Sequence, residues 1–477
     1  MRIIEKNTDV CGKMESVCQE PALYFSRKDS FLSASHFRRC DMPRLKTKTD
    51  PIKEAFFAAV EELNQVLPAA TIREMAKDTE FIKRIRKIDP ALFFWNLIMG
   101  FGVAMEHTLA GLRRRMELIA DVDLMPSSFF DKFNVRLVEF LESILKHLIQ
   151  NLAVSSLPRN ILTKFNDVYI IDNTIVQLQD GLAKIFPGVK MAAGAKISVV
   201  LSVACESIKR VTIHAGKKAD IKTIELGDWV KDHLLLFDMG FFKGSLFHNI
   251  TKRGGHYITR LKSNMNPEII ANNRPCRGKA IDLVGKKLKD VIGQLKREVL
   301  DVTIALPCNF RAYTGQTRKT TIEVRLVGML NDDTGEYHLY ITDLAAAQFT
   351  AEQIAALYRG RWAVELLFKE LKSRYALQTV LSEKPEVVKA MIYSAMITLV
   401  ISRRLFVGYR DAMAKKKLVV SRKAWATFLA ENAKDVLRII LRIGKIEFTE
   451  DDLWRLALTE TFDRRPQRDK LDDVWDM

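Results

Sequence analysis

The sequence has little cysteine and little proline, and each shortage excludes a class of protein. Its six cysteines include no Cys-x-x-Cys pair and are too sparse for a disulfide framework, which predicts a reduced, cytoplasmic protein. With only 13 prolines and 48% hydrophobic residues among 477, the chain is not disordered, collagenous or of low complexity. The histidines are scattered along the chain, so the sequence predicts no zinc site.

Long apolar runs are also missing. The longest uncharged apolar stretch, residues 91–105, is shorter than the roughly 20 residues that a membrane-spanning helix needs. The first thirty residues carry many charges and no apolar core, which argues against a signal peptide. We therefore expect no membrane partner.

Positive charge, by contrast, is in excess. The chain has 75 Lys and Arg against 58 Asp and Glu, and its net charge of +17 favours a polyanionic partner such as nucleic acid. Two stretches, residues 274–319 and 403–423, are especially basic. A run of charge is commonly a solvated face, whereas beside a site that processes phosphodiesters it indicates contact with DNA phosphates.

Residues 51–150 are predicted to be helical. Apolar residues recur at three- and four-residue spacing over residues 51–150. Pro90 and Pro126 divide this region into helical units, and Ser127 or Ser128 is in position to cap the last of them. We expect a helical N-terminal region.

Strand-like runs follow. Short β-branched or apolar segments bounded by Gly, Asp and Asn extend from residue 168 to residue 342, and one helix is expected among them at 216–230. Helical periodicity returns at 350–375 and continues into the C-terminal part. This order predicts an α/β protein in which a mixed sheet is interrupted by an insertion.

Two aspartates occupy matching positions in the strand-like part. Asp172 follows the apolar run 168–171, and Asp238 follows the run 234–237. Acidic residues at the ends of buried strands project from the edge of an α/β sheet, where ligands commonly bind. The alternative is that each aspartate only caps a turn or a helix.

Four polar residues recur along the helix predicted over residues 350–375. They are Tyr358, Arg361, Glu365 and Lys372. In one continuous helix their spacing places them within about 60° of arc, and Lys369 joins the same face. A solvated face is the alternative, because Arg361–Glu365 and Glu365–Lys369 are ordinary i,i+4 ion pairs.

This pattern, Tyr-x2-Arg-x3-Glu-x6-Lys, resembles the signature of the IS-four family of bacterial insertion-sequence transposases, which are DDE recombinases. Trp362, the IDNT segment around Asp172, the FDMGFF segment around Asp238 and the GAKISVVLS run also look like that family. The resemblance covers residues 71–404, in the expected order. One departure is Asn173, where a small Ser or Gly is more usual.

The resemblance implies an RNase H-like catalytic core and a division of the chain into regions. The expected regions are an N-terminal arm (1–50), a helical DNA-binding domain (51–159), the core (160–265 and 343–405), a β-rich insertion (266–342) and a helical C-terminal region suited to dimerisation (406–477). In the DNA-binding domain, basic helices over 71–88 are expected to read the element's ends.

The resemblance also implies the chemistry. Asp172, Asp238 and Glu365 would hold two Mg²⁺ ions, with Mn²⁺ as a substitute, and Tyr358, Arg361, Trp362, Lys369 and Lys372 would contact DNA phosphates. The expected reaction is cleavage at the ends of an insertion sequence followed by strand transfer into target DNA, by a homodimer that cuts in trans.

Three questions stay open at this point. A nuclease with the same core would cut without joining, and a transposase-derived binding protein would do neither. Some relatives hold a flipped base with an aromatic residue of the insertion. The insertion here has no Trp, which leaves Phe310, Tyr313, Tyr337 and Tyr340 for that task.

Overall fold

The protein is described by a computed structural model from residue 50 to residue 449, with short gaps. The described residues are 50–84, 87–102, 108–151, 164–204, 207–274, 282–295, 297–311, 317–331, 334–374, 377, 382–415 and 420–449. The expected N-terminal arm lies outside them except for Asp50, and so do residues 450–477.

Helices occupy the described part of the N-terminal region, as predicted. They are α1 (Asp50–Val66), α2 (Ala69–Asp78), α3 (Pro90–Gly100), α4 (Leu109–Ala120), α5 (Pro126–Phe130) and α6 (Val135–Asn151). Pro90 and Pro126 begin α3 and α5, where the N–H that proline lacks would have no helical partner. The Asp89 carboxylate caps α3 by accepting from the Ala91 N–H at 2.6 Å.

Two of these helices are shorter than the periodicity predicted. Helix α2 ends at Asp78, so the described residues between it and α3 are not helical. Helix α6 begins only after Asn134, whose side chain accepts from the Arg136 N–H at 2.9 Å. The expected cap at Ser127 or Ser128 was therefore wrong, because both serines lie inside α5.

One mixed sheet of nine strands runs through the described residues. Its strands are β1 (Asp167–Gln177), β2 (Gly194–Ser202), β3 (Ser207–Ala215), β4 (His233–Phe237), β5 (His256–Arg260), β6 (Glu268–Asn272), β7 (Val299–Arg311), β8 (Thr317–Leu330) and β9 (Tyr337–Thr342). They lie in the order β3-β2-β1-β4-β5-β9-β8-β7-β6. Strand β4 is parallel to β1 and β5, and the other pairings are antiparallel.

The strands expected in the insertion continue this sheet. Strand β9 pairs antiparallel with β5, with Ile258 opposite Thr342, and also with β8. Two short helices connect strands in this part of the chain. They are α7 (Gly244–Lys252) and α8 (Leu288–Ile292).

The helix expected over residues 216–230 was wrong. That segment contains two 3₁₀ turns, Asp220–Lys222 and Asp228–Val230. The Thr223 hydroxyl donates to the Asp220 carbonyl at 2.7 Å, a local hydrogen bond that competes with helix formation.

The described residues of the C-terminal part are mostly helical, as predicted, but the long helix predicted over residues 350–375 is broken. The helices are α9 (Ala351–Arg359), α10 (Trp362–Arg374), α11 (Pro385–Ala414), α12 (Arg422–Glu431) and α13 (Ala433–Ile443). Between α9 and α10 the Arg361 N–H donates to the Tyr358 carbonyl at 3.0 Å. This i,i+3 bond belongs to a 3₁₀-type turn at Gly360 that separates the two helices.

Helix α11 is the central helix of the protein. Its length and composition would allow it to cross a bilayer, but 89% of its most apolar 18-residue segment is buried inside the protein. It packs against α1, α3 and α6. Because the protein's own helices bury it, α11 is a helix of the hydrophobic core.

A buried ion pair ties the sheet to the start of α9. Arg325 on β8 contacts both carboxylate oxygens of Asp301 on β7, at 2.9 and 2.6 Å. Its remaining nitrogen donates to the carbonyls of Leu344 and Phe349 at 3.0 and 2.9 Å, in the loop before α9. One guanidinium therefore fixes where the helices α9 and α10 leave the sheet.

Removing the carboxylate of this pair should destabilise the protein strongly. Asp301→Ala leaves the Arg325 charge buried without its partner, and we expect a loss of about 3–5 kcal/mol in the free energy of unfolding. Urea unfolding followed by circular dichroism measures it. Asp290→Ala, which removes an exposed carboxylate from α8, is the control and should change stability by less than about 0.5 kcal/mol. Equal stability of the two variants would contradict this role.

Candidate active site

The pairing of β1 with β4 brings the two predicted aspartates together. The parallel ladder ends where Ile171 lies opposite Phe237, so the next residue on each strand is Asp172 or Asp238. Adjacent strands lie about 4.8 Å apart, which makes the two residues neighbours. Asp238 follows its strand as predicted. Asp172 does not end β1, because the strand continues antiparallel to β2 with Asp172 opposite Val199.

Helix α10 brings Glu365 to the same place. It packs against β1, and Glu365 lies in its first turn. Arg361, just before α10, connects the two elements. Its Nη1 donates to the Asp172 carboxylate at 3.3 Å, and its Nη2 donates to the Glu365 carboxylate. One guanidinium is therefore shared by two of the three predicted carboxylates.

The environment disfavours the charge on Asp172. Burial raises the pKa of its carboxyl from 3.8 to about 6, and the nearby carboxylates of Asp238 and Glu365 also raise it. The Asn173 N–H and the Arg361 guanidinium act in the opposite direction. Crowded carboxylates of this kind need a cation between them.

The donor set fits a hard divalent cation. All three predicted ligands offer carboxylate oxygens, which Mg²⁺ prefers. Asp172 and Glu365 already direct their oxygens at one shared cationic group. In the part of the chain that the structure describes, no three acidic, His or Cys side chains converge as a finished metal site. Arg361 occupies the oxygens that such a site would need.

Tyr358 is buried rather than presented on a helix face. Its side chain is 6% exposed, packs on Tyr340 at 5.1 Å between ring centroids, and has a hydroxyl without a hydrogen-bond partner among the described residues. Burial raises the pKa of this hydroxyl well above 10. The continuous helix expected from Tyr358 to Lys372 was wrong, because the two residues lie on different helices.

The other predicted contact residues lie along α10. Trp362 is 54% exposed and Lys369 is exposed, so both are open to a partner. Lys372 is partly buried, and burial lowers the pKa of its ammonium. Helix α10 therefore presents an aromatic ring and a cation next to the carboxylates.

Sequence reasoning missed a polar network behind Asp172. The amide of Asn173 donates to the Asp220 carboxylate at 2.8 Å, and the buried Lys196 contacts the same oxygen at 2.6 Å. Asp220 also fills the space beside Gly240, where a Cβ would lie 2.6 Å from its carboxylate. This network joins the segments that carry Asp172 and Asp238. The signal in the sequence was Asn173, the departure from the family pattern.

The aromatic residues considered for base flipping have structural contacts where they are described. Tyr337 donates its hydroxyl to the Arg297 carbonyl, and Tyr340 is buried against Tyr358. Tyr313 and the side chain of Phe310 lie outside the described residues.

Several basic residues expected to contact DNA instead stabilise the fold. Arg403 pairs with the Glu370 carboxylate at 2.6 Å in a largely buried position, and Arg404 pairs with Glu62. In the N-terminal region Arg73 pairs with the helix-capping Asp89 at 2.7 Å. The basic stretch 403–423 is therefore only partly available to DNA.

The fold is α/β, and the predicted carboxylates lie at adjacent strands of its mixed sheet with cationic side chains beside them, an arrangement suited to an enzyme that acts on phosphodiesters. The chain belongs to the transposase DDE domain family, which matches residues 163–401. It is a DNA transposase, with the nuclease and transferase activities that this reaction requires.

Known insertion-sequence transposases are similar to most of the chain. The transposase for insertion sequence element IS1151 of Clostridium perfringens is 26% identical and covers 75% of this chain and 80% of its own length. The transposase for element IS231E of Bacillus thuringiensis subsp. finitimus is 23% identical over 80% of this chain and 89% of its own. A piggyBac transposase in a synaptic complex with hairpin DNA is similar with a TM-score of 0.42 and 11% identity, covering 89% and 88% of the chains. The assignment rests on the family and the two relatives.

Neutralising Asp172 should stabilise the metal-free protein. Because its folded pKa is raised, the carboxyl contributes most stability in protonated form below pH 3.8, and that stability is lost as the pH rises through about 6. At pH 8 with EDTA we expect Asp172→Asn to be more stable than wild type by roughly 1–3 kcal/mol.

Thermal unfolding at pH 5 and pH 8 tests this expectation, and the gain should be larger at pH 8. Asp228→Asn, which changes an exposed carboxylate, serves as the control and should show no such pH dependence. An Asp172→Asn protein less stable than wild type at pH 8 would count against the burial argument.

Proposed function

We propose that the protein catalyses cut-and-paste transposition of an insertion sequence, with Asp172, Asp238 and Glu365 as ligands of two divalent metal ions. Mg²⁺ is the expected ion and Mn²⁺ a substitute, because hard cations bind carboxylate oxygens and keep waters that phosphate oxygens can replace. One observation carries this proposal. Asp172 and Glu365 face one shared cationic group while Asp238 lies beside Asp172 across the parallel strand pair.

We assign the core to the RNase H-like class and the insertion to residues 266–342. In support, the first five strands lie in the order β3-β2-β1-β4-β5, with β1, β4 and β5 parallel and β2 antiparallel. Strands β6 to β8 extend from this core through β9. The Tyr-Arg-Glu-Lys pattern on α9 and α10 supports membership in the IS-four group.

In this proposal the Arg361 guanidinium leaves a carboxylate and binds a DNA phosphate. Two ions held by Asp172, Asp238 and Glu365 would supply activation of the attacking water or 3′-hydroxyl and stabilisation of the leaving oxygen. The carboxylate oxygens that contact Arg361 are the oxygens proposed to bind metal, so the ion pairs and metal coordination compete. A guanidinium released from Asp172 is free to bind a DNA phosphate through two parallel hydrogen bonds.

The neighbouring side chains position DNA. On α10, the ammonium groups of Lys369 and Lys372 bind DNA phosphates as point charges, and the exposed ring of Trp362 stacks on a base or sugar. The buried hydroxyl of Tyr358 supplies a donor for a phosphate oxygen or a bound water close to Arg361. These residues affect substrate binding more than bond cleavage.

The partner is double-stranded DNA carrying the element's terminal repeats, together with target DNA. The net charge of +17 supports binding to phosphates, and we place the protein in the bacterial cytoplasm as a homodimer that holds two ends. The helical region 51–159 is proposed to bind the ends. The helices of the region 406–477 are proposed to form the dimer contact.

Loss of one carboxylate should abolish cleavage without abolishing DNA binding. For Glu365→Ala we expect cleavage of a DNA that carries the element's ends to fall by roughly 1,000-fold or more, because one metal ligand is missing. EDTA should have the same effect on wild type. Gel assays of cleavage and fluorescence anisotropy of binding measure the two steps.

The matched control is Glu352→Ala, which removes an exposed carboxylate from α9. It should cleave at close to the wild-type rate. Equal cleavage rates for wild type and Glu365→Ala would contradict the assignment of Glu365 to the active site.

Strand transfer separates a transposase from a nuclease with the same core. We expect the protein to join pre-cleaved ends with free 3′-hydroxyls into a supercoiled plasmid in Mg²⁺, because the site that activates water also activates a 3′-hydroxyl. Sequencing of the plasmid products detects the joints. Cleavage of intact ends with no joined product would favour a nuclease, and metal-independent binding alone would favour a non-catalytic protein.

A further inference from the structure

An open groove lies beside α7, the helix that follows Asp238 in the chain. It has a volume of about 310 Å³. One wall is polar and comes from α7 and its two flanking residues, Lys243 and Arg253, with Ser245 and Asn249 between them. A second, apolar wall comes from Ile221, Ile224 and Leu226, and Leu246 of α7 adds a further apolar side chain. We call this feature the α7 groove.

The charge of the α7 groove has one sign. Its lining includes Lys243 and Arg253 and no carboxylate. Both cations are exposed, and neither forms an ion pair within the described part of the chain. Ser245 and Asn249 add hydrogen-bonding groups that carry no charge. Such a surface attracts an anion with more than one charged group.

The segments that line the α7 groove are connected to those of the candidate active site. Lys243 stands five residues after Asp238 on a chain shortened by a 3₁₀ turn, Met239–Phe241. On the other wall, Ile221 follows Asp220, which accepts from the Asn173 amide and packs against Gly240. Both walls are therefore anchored to the segments that carry Asp172 and Asp238.

The two cations flank opposite ends of α7, a spacing that suits two separate phosphates of one strand. They are ten residues apart and flank α7, a separation of about 15 Å at 1.5 Å per residue. Their long side chains each reach a different phosphate of an extended strand. The apolar wall gives the sugars between those phosphates a surface to pack against.

We propose that the α7 groove binds the DNA backbone next to the cleavage point, with Lys243 and Arg253 on separate phosphates. The proposal rests on the proposed function, since it needs a DNA strand at Asp238. It assigns a contact surface outside α10 and outside the basic stretches of the sequence. The bound strand belongs either to the element's end, to the flanking donor DNA or to the target.

The experiment measures DNA affinity against salt concentration. Each phosphate contact adds about 0.9 to the slope of log affinity against log salt, so Lys243→Gln/Arg253→Gln should lower the slope by about 2 and weaken binding roughly 10-fold at 0.15 M salt. Three duplexes are used in fluorescence anisotropy: an end with its donor flank, a pre-cleaved end, and an unrelated duplex as target. The duplex that shows the loss identifies the strand that occupies the groove.

Lys252→Gln is the matched control, because Lys252 is an exposed cation of the same helix that does not line the groove. It should change the slope by less than one. An unchanged slope in the double variant with all three duplexes, or an equal decrease in Lys252→Gln, would overturn the proposal. Thermal unfolding confirms that the variants are folded. The cleavage rate of Glu365→Ala tests the proposed function separately. A rate equal to that of wild type would contradict the assignment of the active site but would leave the proposal for the α7 groove standing.

Discussion

The parallel pairing of β1 with β4 is the interaction on which the rest of the structure depends. The paired segments, residues 168–171 of β1 and 234–237 of β4, are apolar and mostly buried, and a slip of one residue would move every side chain to the other face of the sheet. The register that burial selects ends at Ile171 and Phe237. Asp172 and Asp238 are neighbours for that reason, although 65 residues separate them in the sequence. The polar network through Asn173 and Asp220 then braces the two segments from behind.

Arg361 shows how such a site tolerates its own charge. Asp172, Asp238 and Glu365 repel one another in a partly buried place, and the pKa of Asp172 rises to about 6 in spite of a guanidinium beside it. The arginine offsets part of that repulsion by pairing with two of the carboxylates. In the proposed function its position would couple the binding of a substrate phosphate to the binding of a metal ion, since the phosphate would pair with the guanidinium and the metal with the carboxylate oxygens that it leaves. A site built for binding in this way is less stable than an apolar core of the same size.

Sequence patterns predicted the elements better than their ends. The strands around Asp172 and Asp238, the helical terminal regions and the breaks at proline were expected from periodicity alone. The break at Gly360 was not, because one glycine in a helical pattern is usually tolerated. The 3₁₀ turns near Asp220 were missed because local side-chain bonds there compete with a helix. Buried ion pairs such as Arg403–Glu370 were missed because charge in a sequence does not reveal which side chains fold inward.

By itself the sequence determined the order of elements, the two aspartates that follow apolar runs, and the residues of the Tyr-Arg-Glu-Lys pattern. These follow from local periodicity and from residue type, which each segment carries alone. Only the tertiary structure decided that Arg361 joins Asp172 to Glu365, that Tyr358 is buried, and that the two cations flanking α7 line a groove whose lining has no carboxylate. Arg361 and Asp172 are 189 residues apart, and a contact of that range depends on how the sheet and the helices pack.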